Sequence, residues 1–208
     1  MQKEKLKMTI GLLESDNFLF IKLKNWDLWR KMNMELSDTV RVHLRNFCQQ
    51  DLDDMYEFCS QPEIETVGWN AHKSIDETKK VLEQWILNEN IFAVVYKNEN
   101  KVIGYIAIHE DSEEGRLDTK ELGFALNNQY RRQGIMSEVI HCILDYIFSK
   151  DILYVWACCF QDNISSKNLI EKIGFEFMQE GVFFSESFKK EFPSYEYRMS
   201  KSDWITKN

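Results

Sequence analysis

The chain has 208 residues, of which 44% are hydrophobic and 13% aromatic, and its formal net charge at pH 7 is −8. This length and apolar content fit one globular domain with a core of good size. The negative charge argues against a nucleic-acid partner, which needs a basic surface, and it mildly suits a cationic acceptor such as an amine or a basic protein tail.

The N-terminal 33 residues are interpreted as an extension of unknown role, followed by one main domain at residues 34–208. No apolar run approaches the roughly 20 residues that a membrane helix needs, so we expect no membrane partner. The N-terminus lacks the small-residue cleavage site of a secretory signal. We therefore expect a cytoplasmic protein.

The first half of the main domain predicts a strand, two helices and a hairpin. Thr39–Arg45 alternates apolar and polar residues, as a strand does, and Asp51–Cys59 has helical spacing. A capping box formed by Ser74 and Glu77 opens a second helix that ends near Leu87. The next strands, Ile91–Tyr96 and Val102–His109, are joined by a turn at residues 98–100.

The second half continues with a strand at Glu121–Leu126 and an amphipathic helix that starts near Gly134. The apolar face of this helix contains Ile135, Met136, Val139, Ile140, Ile143, Leu144 and Ile147. The remaining elements are a strand at Tyr154–Cys159, a helix at Ser165–Ile173, and strands at Phe175–Phe184 and Tyr195–Ser200. Cys158 and Cys159 are expected to face opposite sides of their strand and to be reduced and buried.

Residues 129–137, between the strand and the amphipathic helix, are the most informative segment. The first N–H groups of a helix have no partner inside it, and the helix dipole adds partial positive charge there. Gly134 allows close backbone approach, and Arg131 and Arg132 add charge. The segment therefore predicts a phosphate or pyrophosphate site, with an ordinary turn carrying surface arginines as the alternative. It matches neither the NTPase loop nor the dinucleotide-binding loop.

This loop resembles R/Q-x-x-G-x-G/A, the coenzyme A pyrophosphate loop of the GNAT acetyltransferase superfamily. Arg131 stands in its first place, Gly134 in its fourth, and Met136 in its sixth, where Gly or Ala is usual. Residues 163–175 resemble a second GNAT segment, N-x-x-[SA]-x-x-x-[YL]-x-x-x-G-F, in which Asn163 caps a helix and Gly174 ends it.

The resemblance covers Val40 to Trp204 and is closest to the ribosomal-protein N-acetyltransferase branch, on the strength of Ser166 and of residues 134–137 and 197–204. It implies an α/β fold: a mixed central sheet of about six to seven strands with helices on both faces. It also implies transfer of an acetyl group from acetyl-CoA to a primary amine of a protein N-terminus or a small molecule, by direct attack in a ternary complex.

Two other functions remain as alternatives. One is a non-catalytic acyl-CoA-binding or interaction module on the same fold, and the other is a phosphate-binding protein of a different kind. A homodimer is left open.

For acetyl-CoA, the resemblance assigns the pyrophosphate to the loop and the pantetheine to the edge of the strand before it. A backbone N–H near Phe124 would stabilise the oxyanion. The cofactor-binding residues are expected to be Phe124, Ala125, Leu126, Arg131, Arg132, Gln133, Gly134, Ile135, Met136, Ser137, Asn163 and Ser166.

For catalysis, Ile170 stands where many GNAT enzymes have a tyrosine acid, and Ser166 is the candidate replacement that donates a hydrogen bond to the leaving thiolate. Glu121 is the first candidate for the base, acting through a water, and Glu186 is the second.

His72 and His109 are weaker candidates for the base, and Trp69, His72 and Lys73 are expected to help form the acceptor pocket. The four histidines show no metal-ligand spacing, so we expect no metal.

Overall fold

The computed structural model describes residues 39–111 and 115–207. The predicted extension at residues 1–33, and the boundary that separates it from the main domain, lie outside the described residues, so the domain division stays a prediction.

The described strands and helices follow the predicted order, except that a helix at Lys201–Lys207, which was not predicted, follows the last strand. The strands are β1 (Val42–Asn46), β2 (Ile91–Tyr96), β3 (Lys101–Glu110), β4 (Thr119–Leu126), β5 (Tyr154–Phe160), β6 (Glu176–Ser185) and β7 (Lys190–Ser200). The helices are α1 (Leu52–Cys59), α2 (Ile75–Ile86), α3 (Ile135–Phe148), α4 (Ile164–Ile173) and α5 (Lys201–Lys207). Short 3₁₀ segments lie at Gln49–Asp51, Pro62–Val67 and Asn128–Tyr130.

The strands form one seven-stranded sheet in the order β1-β2-β3-β4-β5-β7-β6 within the described chain. The β4–β5 pair is parallel, and each of the other neighbouring pairs is antiparallel. A parallel pair needs a crossover connection, and α3 supplies it. The predicted class, a mixed sheet of about six to seven strands flanked by helices, is confirmed.

The core forms where amphipathic helices cover this sheet. Met55 and Phe58 of α1 and Leu82 of α2 pack with β2 and β3 residues such as Ala93 and Tyr105. All seven residues predicted for the apolar face of α3 are buried. Removing this apolar surface from water stabilises the fold, at roughly 1.5–3 kcal/mol for each large side chain.

Several local predictions need correction. β1 begins at Val42, and Val40, expected to face inward, is 89% exposed. β7 begins at Lys190 rather than Tyr195, although Pro193 lacks an N–H for pairing. Proline is tolerated there because β5 ends at Phe160, which pairs with Ser194, so Pro193 lies beyond the β5 ladder.

Two further details differ from prediction at the level of side chains. Cys159 is buried, as expected, but Cys158 is partly exposed, and within the described residues neither forms a disulfide. Ser74 caps α2 by accepting from the Glu77 N–H, while the Glu77 carboxylate accepts from the N–H of Lys73 instead of Ser74. Within the described residues, no helix combines the length and the apolar character that a membrane crossing requires.

Candidate active site

The centre of the sheet opens between β4 and β5. The parallel ladder runs from Thr119, opposite Tyr154, to Leu122, opposite Ala157. Beyond this point, β4 continues to Leu126 while paired only with β3, and β5 continues to Phe160 while paired only with β7. The two strands therefore diverge and leave an edge of β4 available to a ligand.

Backbone groups of β4 face this opening. The Ala125 carbonyl faces β3, since it lies 2.3 Å from where a Cβ on Gly104 would be. Because backbone groups alternate along a strand, those of Phe124 and Leu126 point the other way, into the opening. The Leu126 carbonyl accepts a hydrogen bond from Arg131 Nε at 2.9 Å, in agreement with this direction. The expected donor near Phe124 thus faces the correct side of the strand.

Two cavities occupy the opening and share a wall. One has a volume of about 220 Å³ and the other about 800 Å³. The residues that line both are Thr66, Val67, Phe124, Asn163 and Ser166. A ligand lying in the larger cavity can therefore present one end to the smaller one at Phe124 and Ser166.

The larger cavity collects most of the predicted cofactor-binding residues. Those that line it are Phe124, Ala125, Leu126, Arg131, Arg132, Gly134, Ile135, Met136, Ser137, Asn163 and Ser166. Gln133 does not line it; its side-chain amide donates to the Gln129 carbonyl. The sixth position of the loop motif, Met136, is buried and belongs to the first turn of α3.

The loop before α3 presents donors to the larger cavity. Arg132 and Gly134 both have a left-handed backbone, with φ of 59° and 76°. The first N–H bonded within the helix is that of Glu138, which donates to the Gly134 carbonyl at 3.1 Å. The N–H groups of Ile135 to Ser137 precede it and have no acceptor inside the helix. These N–H groups and the helix dipole together give this part of the cavity wall a partial positive charge.

A clamp formed by Arg41, the residue just before β1, holds this loop, and no pattern in the sequence predicts it. Arg41 Nη1 donates to the Gln133 carbonyl at 2.7 Å, and Arg41 Nε donates to the Glu138 carboxylate at 2.8 Å. Burial works to raise the pKa of Glu138, but hydrogen bonds from Thr39 and Arg41 outweigh it, so this pKa is lowered. The carboxylate is therefore ionised at neutral pH and keeps the Arg41 guanidinium against the loop.

The residues after β4 are fixed by a second set of contacts. The amide of Asn127, fully buried, donates to Glu57 Oε1 at 2.8 Å and accepts from Gln61 Nε2 at 3.0 Å. The Tyr130 hydroxyl donates to Glu99, and this hydrogen bond raises the pKa of Tyr130 to about 12. The Arg41 clamp and this second set of contacts both join residues far apart in the chain, so no local motif could predict either of them.

The start of α4 forms the shared wall. Asn163 caps the helix by accepting from the Ser166 N–H at 3.1 Å, and its amide donates to the Thr66 carbonyl at 3.0 Å. The cap is therefore Asn163, and the Ser166 side chain is not needed for it. Gly174 ends α4 with φ of 101°, as predicted, and Ile170 is buried.

The smaller cavity contains the first candidate base. Glu121 and His109 are paired residues of β4 and β3, so their side chains lie on the same face of the sheet, and both line this cavity. A Cβ on Gly123 would lie 3.0 Å from His109 Nε2, so glycine leaves room for the imidazole. A carboxylate and an imidazole, each able to accept a proton, thus lie together beside the shared wall.

Other candidates lie elsewhere. Trp69 lines the smaller cavity, but His72 and Lys73 do not. His72 Nδ1 bonds to the Thr78 hydroxyl at 2.8 Å, and burial lowers the pKa of His72. Glu186 lies in the β6–β7 turn, 77% exposed and paired with Lys189, and it lines neither cavity.

A buried carboxylate near the smaller cavity was missed. Glu196 of β7 is 4% exposed, accepts a hydrogen bond from Gln179 Nε2 at 2.6 Å, and lies opposite Cys158, which lines the cavity. A Cβ on Gly181 would lie 1.7 Å from Glu196 Oε1, so any other residue there would displace this carboxylate. This arrangement depends on the register of three strands, which the sequence does not reveal.

Comparison with known proteins adds evidence of two kinds. The family described as "Acetyltransferase (GNAT) domain" matches residues 41–176. The Bacillus subtilis protein YoaA, named as an uncharacterized N-acetyltransferase, is 26% identical over 159 residues, which cover 70% of this chain and 84% of YoaA.

Solved structures of low identity share the fold. The ribosomal-protein-S5-alanine acetyltransferase from Vibrio fischeri has a TM-score of 0.63 at 18% identity, covering 81% of this chain and 97% of that one. The microcin C7 self-immunity acetyltransferase MccE, solved in complex with acetyl-CoA and AMP, has a TM-score of 0.62 at 19% identity, covering 80% and 94%. The family match over residues 41–176 confirms the superfamily expected from the two motifs, and a ribosomal-protein acetyltransferase is among the proteins that share the fold.

Proposed function

Because the chain belongs to the GNAT acetyltransferase family, we propose that it transfers the acetyl group of acetyl-CoA to a primary amine of a protein N-terminus or a small molecule, by direct attack in a ternary complex. The observation that carries the proposal is the pair of cavities meeting at Phe124 and Ser166. One cavity suits a long anionic thioester and the other a small acceptor, so both substrates can meet at the shared wall.

Acetyl-CoA would lie in the larger cavity. Its pyrophosphate would accept hydrogen bonds from the N–H groups of Ile135 to Ser137, with the positive charge of Arg131 and Arg132 beside it. Its pantetheine amides would pair with the exposed edge of β4 at Phe124 to Leu126, as an added strand does. This path brings the thioester to the shared wall.

The acceptor would enter through the smaller cavity as a neutral amine. Its nitrogen attacks the thioester carbon, and the carbonyl oxygen becomes an oxyanion that the Phe124 N–H stabilises. The carbon–sulfur bond then breaks, and the Ser166 hydroxyl donates a hydrogen bond to the departing thiolate. The amine loses a proton, which Glu121 accepts through a water. The products are the N-acetylated amine and coenzyme A.

Holding both substrates in one reactive geometry accounts for much of the rate enhancement over the reaction in free solution. Direct attack needs the nitrogen and the carbonyl carbon roughly 3–3.5 Å apart, and well-oriented reactants gain roughly 7–11 kcal/mol over free collision. The Asn163 bonds to Thr66 and to the Ser166 N–H fix the wall at which this approach takes place.

A non-catalytic acyl-CoA-binding module is the alternative function, and it has less support. Such a module needs only the larger cavity and the α3 N-terminus. It gives no reason for a second cavity that contains Glu121 and His109 and opens at the same wall.

Calorimetry with acetyl-CoA and with ADP, followed by mass spectrometry of amine acceptors, tests the proposal. We expect acetyl-CoA to bind more tightly than ADP and an acceptor to gain one acetyl group. Binding of acetyl-CoA with no acetylated product from lysate amines or N-terminal peptides would favour the module. Equal binding of ADP and acetyl-CoA would favour a general phosphate-binding protein.

A further inference from the structure

The smaller cavity has an aromatic wall on the side of α2 and β3. Trp69 stacks on Tyr105 with ring centroids 5.6 Å apart and an interplanar angle of 14°. Trp85 contacts both, at 4.7 Å from Tyr105 and 5.3 Å from Trp69. Trp85 and Tyr105 are buried and fixed by the core, so this wall is rigid before any ligand arrives.

The opposite side of the cavity is also aromatic. Phe160 of β5 and Phe183 of β6 lie 5.6 Å apart and both line the cavity. They pack against Gly68, where a Cβ would lie 3.0 Å from Phe183 and 3.2 Å from Phe160. The Ser185 hydroxyl donates to the Gly68 carbonyl at 2.5 Å, and the Asn70 amide donates to the Ser187 carbonyl at 2.9 Å. The β6–β7 turn is thereby fixed to the loop that carries Trp69.

The acid–base groups of the cavity are a carboxylate and the imidazole of His109. Among the described residues that line it, Glu121 is the carboxylate, and none is lysine or arginine. An ammonium group is attracted both by this carboxylate and by the faces of aromatic rings. A carboxylate or phosphate on the acceptor would meet no lysine or arginine among the described residues of this wall and would be repelled by Glu121.

The size of the cavity limits the acceptor further. Sites for drug-sized ligands have volumes of roughly 300–1,000 Å³. The volume here, about 220 Å³, suits one side-chain-sized group beside the amine and not a large polyamine or a multi-ring molecule.

We propose that the acceptor is a primary amine bearing a single aromatic group and no adjacent negative charge, such as the N-terminus of a peptide that begins with an aromatic residue. This inference rests on the proposed acetyl transfer. Aromatic contacts from Trp69 and Phe183 select the ring, while Glu121 disfavours a free α-carboxylate. Free amino acids are therefore poor acceptors, and their amides are good ones.

Four acceptors distinguish the effect of an aromatic ring on the acceptor from the effect of its charge. They are phenylalaninamide, alaninamide, free phenylalanine and spermidine. With acetyl-CoA saturating, we expect kcat/KM for phenylalaninamide to exceed that for alaninamide by about 10- to 100-fold, as burial of one aromatic side chain provides. Free phenylalanine should be at least about 10-fold poorer than its amide, because its carboxylate is left unpaired. Equal rates for alaninamide, or a preference for spermidine or free phenylalanine, would overturn the inference.

Adjacent phenylalanines supply a matched pair of variants. Phe183→Leu should reduce the preference for phenylalaninamide over alaninamide, and Trp69→Leu should do the same. Phe184→Leu should retain it, because Phe184 lines neither cavity whereas Phe183 lines the smaller one, although the two side chains are similarly exposed at 49% and 39%. An unchanged preference in both Trp69→Leu and Phe183→Leu would also overturn the inference.

A binding measurement keeps this inference separate from the proposed function. If no amine is acetylated, calorimetry on the protein saturated with coenzyme A still compares phenylalaninamide with alaninamide. In that case, tighter binding of phenylalaninamide would support the aromatic acceptor site and contradict only the proposed acetyl transfer. Equal binding of the two amides would contradict both the aromatic acceptor site and the proposed acetyl transfer.

Discussion

Replacing Gly134 tests whether the backbone of the loop before α3 creates the coenzyme A site. Gly134 has φ of 76° at the N-cap of α3, and an added Cβ would lie 3.6 Å from Arg41 Nη2, an ordinary contact. Alanine therefore meets no collision, but the left-handed backbone costs a residue with a Cβ roughly 1–2 kcal/mol. If the loop of the free variant relaxes, its left-handed conformation must be restored when acetyl-CoA binds. This cost then raises the Kd for acetyl-CoA about 5- to 30-fold.

Valine at the same position should be more harmful. It is β-branched, and its methyl groups extend beyond the Cβ toward the Arg41 guanidinium, which holds the Gln133 carbonyl. A combined loss of about 3 kcal/mol or more, from strain and from a displaced charged hydrogen bond, would weaken binding beyond 100-fold and make it undetectable in ordinary calorimetry.

Gly174→Ala is the matched control for these variants. Gly174 also has a left-handed backbone, with φ of 101°, but it lies at the far end of α4 from the shared wall. Calorimetry with acetyl-CoA and thermal unfolding should show lower stability in all three variants and weaker binding only in the two at position 134. Unchanged acetyl-CoA affinity in Gly134→Val, or an equal loss in Gly174→Ala, would refute the assignment of the loop to coenzyme A.

Three further variants test individual side chains. Arg131→Ala should weaken acetyl-CoA binding by only about 1–2 kcal/mol in calorimetry, because its charge-assisted contact is partly exposed; full retention of affinity would limit Arg131 to supporting the Leu126 carbonyl. Ser166→Ala should lower kcat in steady-state assays with little change in the KM for acetyl-CoA, since its hydrogen bond strengthens as sulfur becomes anionic; an unaltered kcat would exclude that role. Glu121→Gln should lower kcat/KM by ~10²–10⁴ and flatten the acid limb of the pH–rate profile, whereas Glu186→Gln should be nearly silent. The reverse ranking would move the base to the β6–β7 turn, and no effect of either would mean that the enzyme captures the neutral fraction of its amine.

The contacts of Arg41 and Asn127 suggest why the loop can be rigid without a bound ligand. Each joins the loop to a different part of the chain, Arg41 from the residue before β1 and Asn127 through Glu57 of α1. A site whose donors are already oriented pays less to order them when a ligand binds. The loop motif thus identifies the N–H groups that can bind a ligand, while the contacts with Arg41 and Glu57 fix the direction in which these groups point.

The sequence by itself determined the features that depend on local chemistry. Hydrophobic periodicity located the strands and helices, because burial requires a repeat of two or of 3.6 residues. Gly134, Asn163 and Gly174 could be recognised at helix ends because each meets a conformational or capping need of its own short segment. The family and its fold class were predicted from the resemblance of the two motifs, at residues 129–137 and 163–175, to GNAT segments, with which the order of these elements agrees.

Only the tertiary structure decided which residues meet. The divergence of β4 from β5, the clamp from Arg41, and the burial of Glu196 over Gly181 all depend on strand register and on contacts between distant segments. Glu121 and Glu186 were the first and second candidates for the base, and the sequence could not show which of the two carboxylates is exposed. The sheet places Glu121 in the smaller cavity and leaves Glu186 in an exposed turn, since side-chain direction follows from pairing across strands and not from neighbours along the chain.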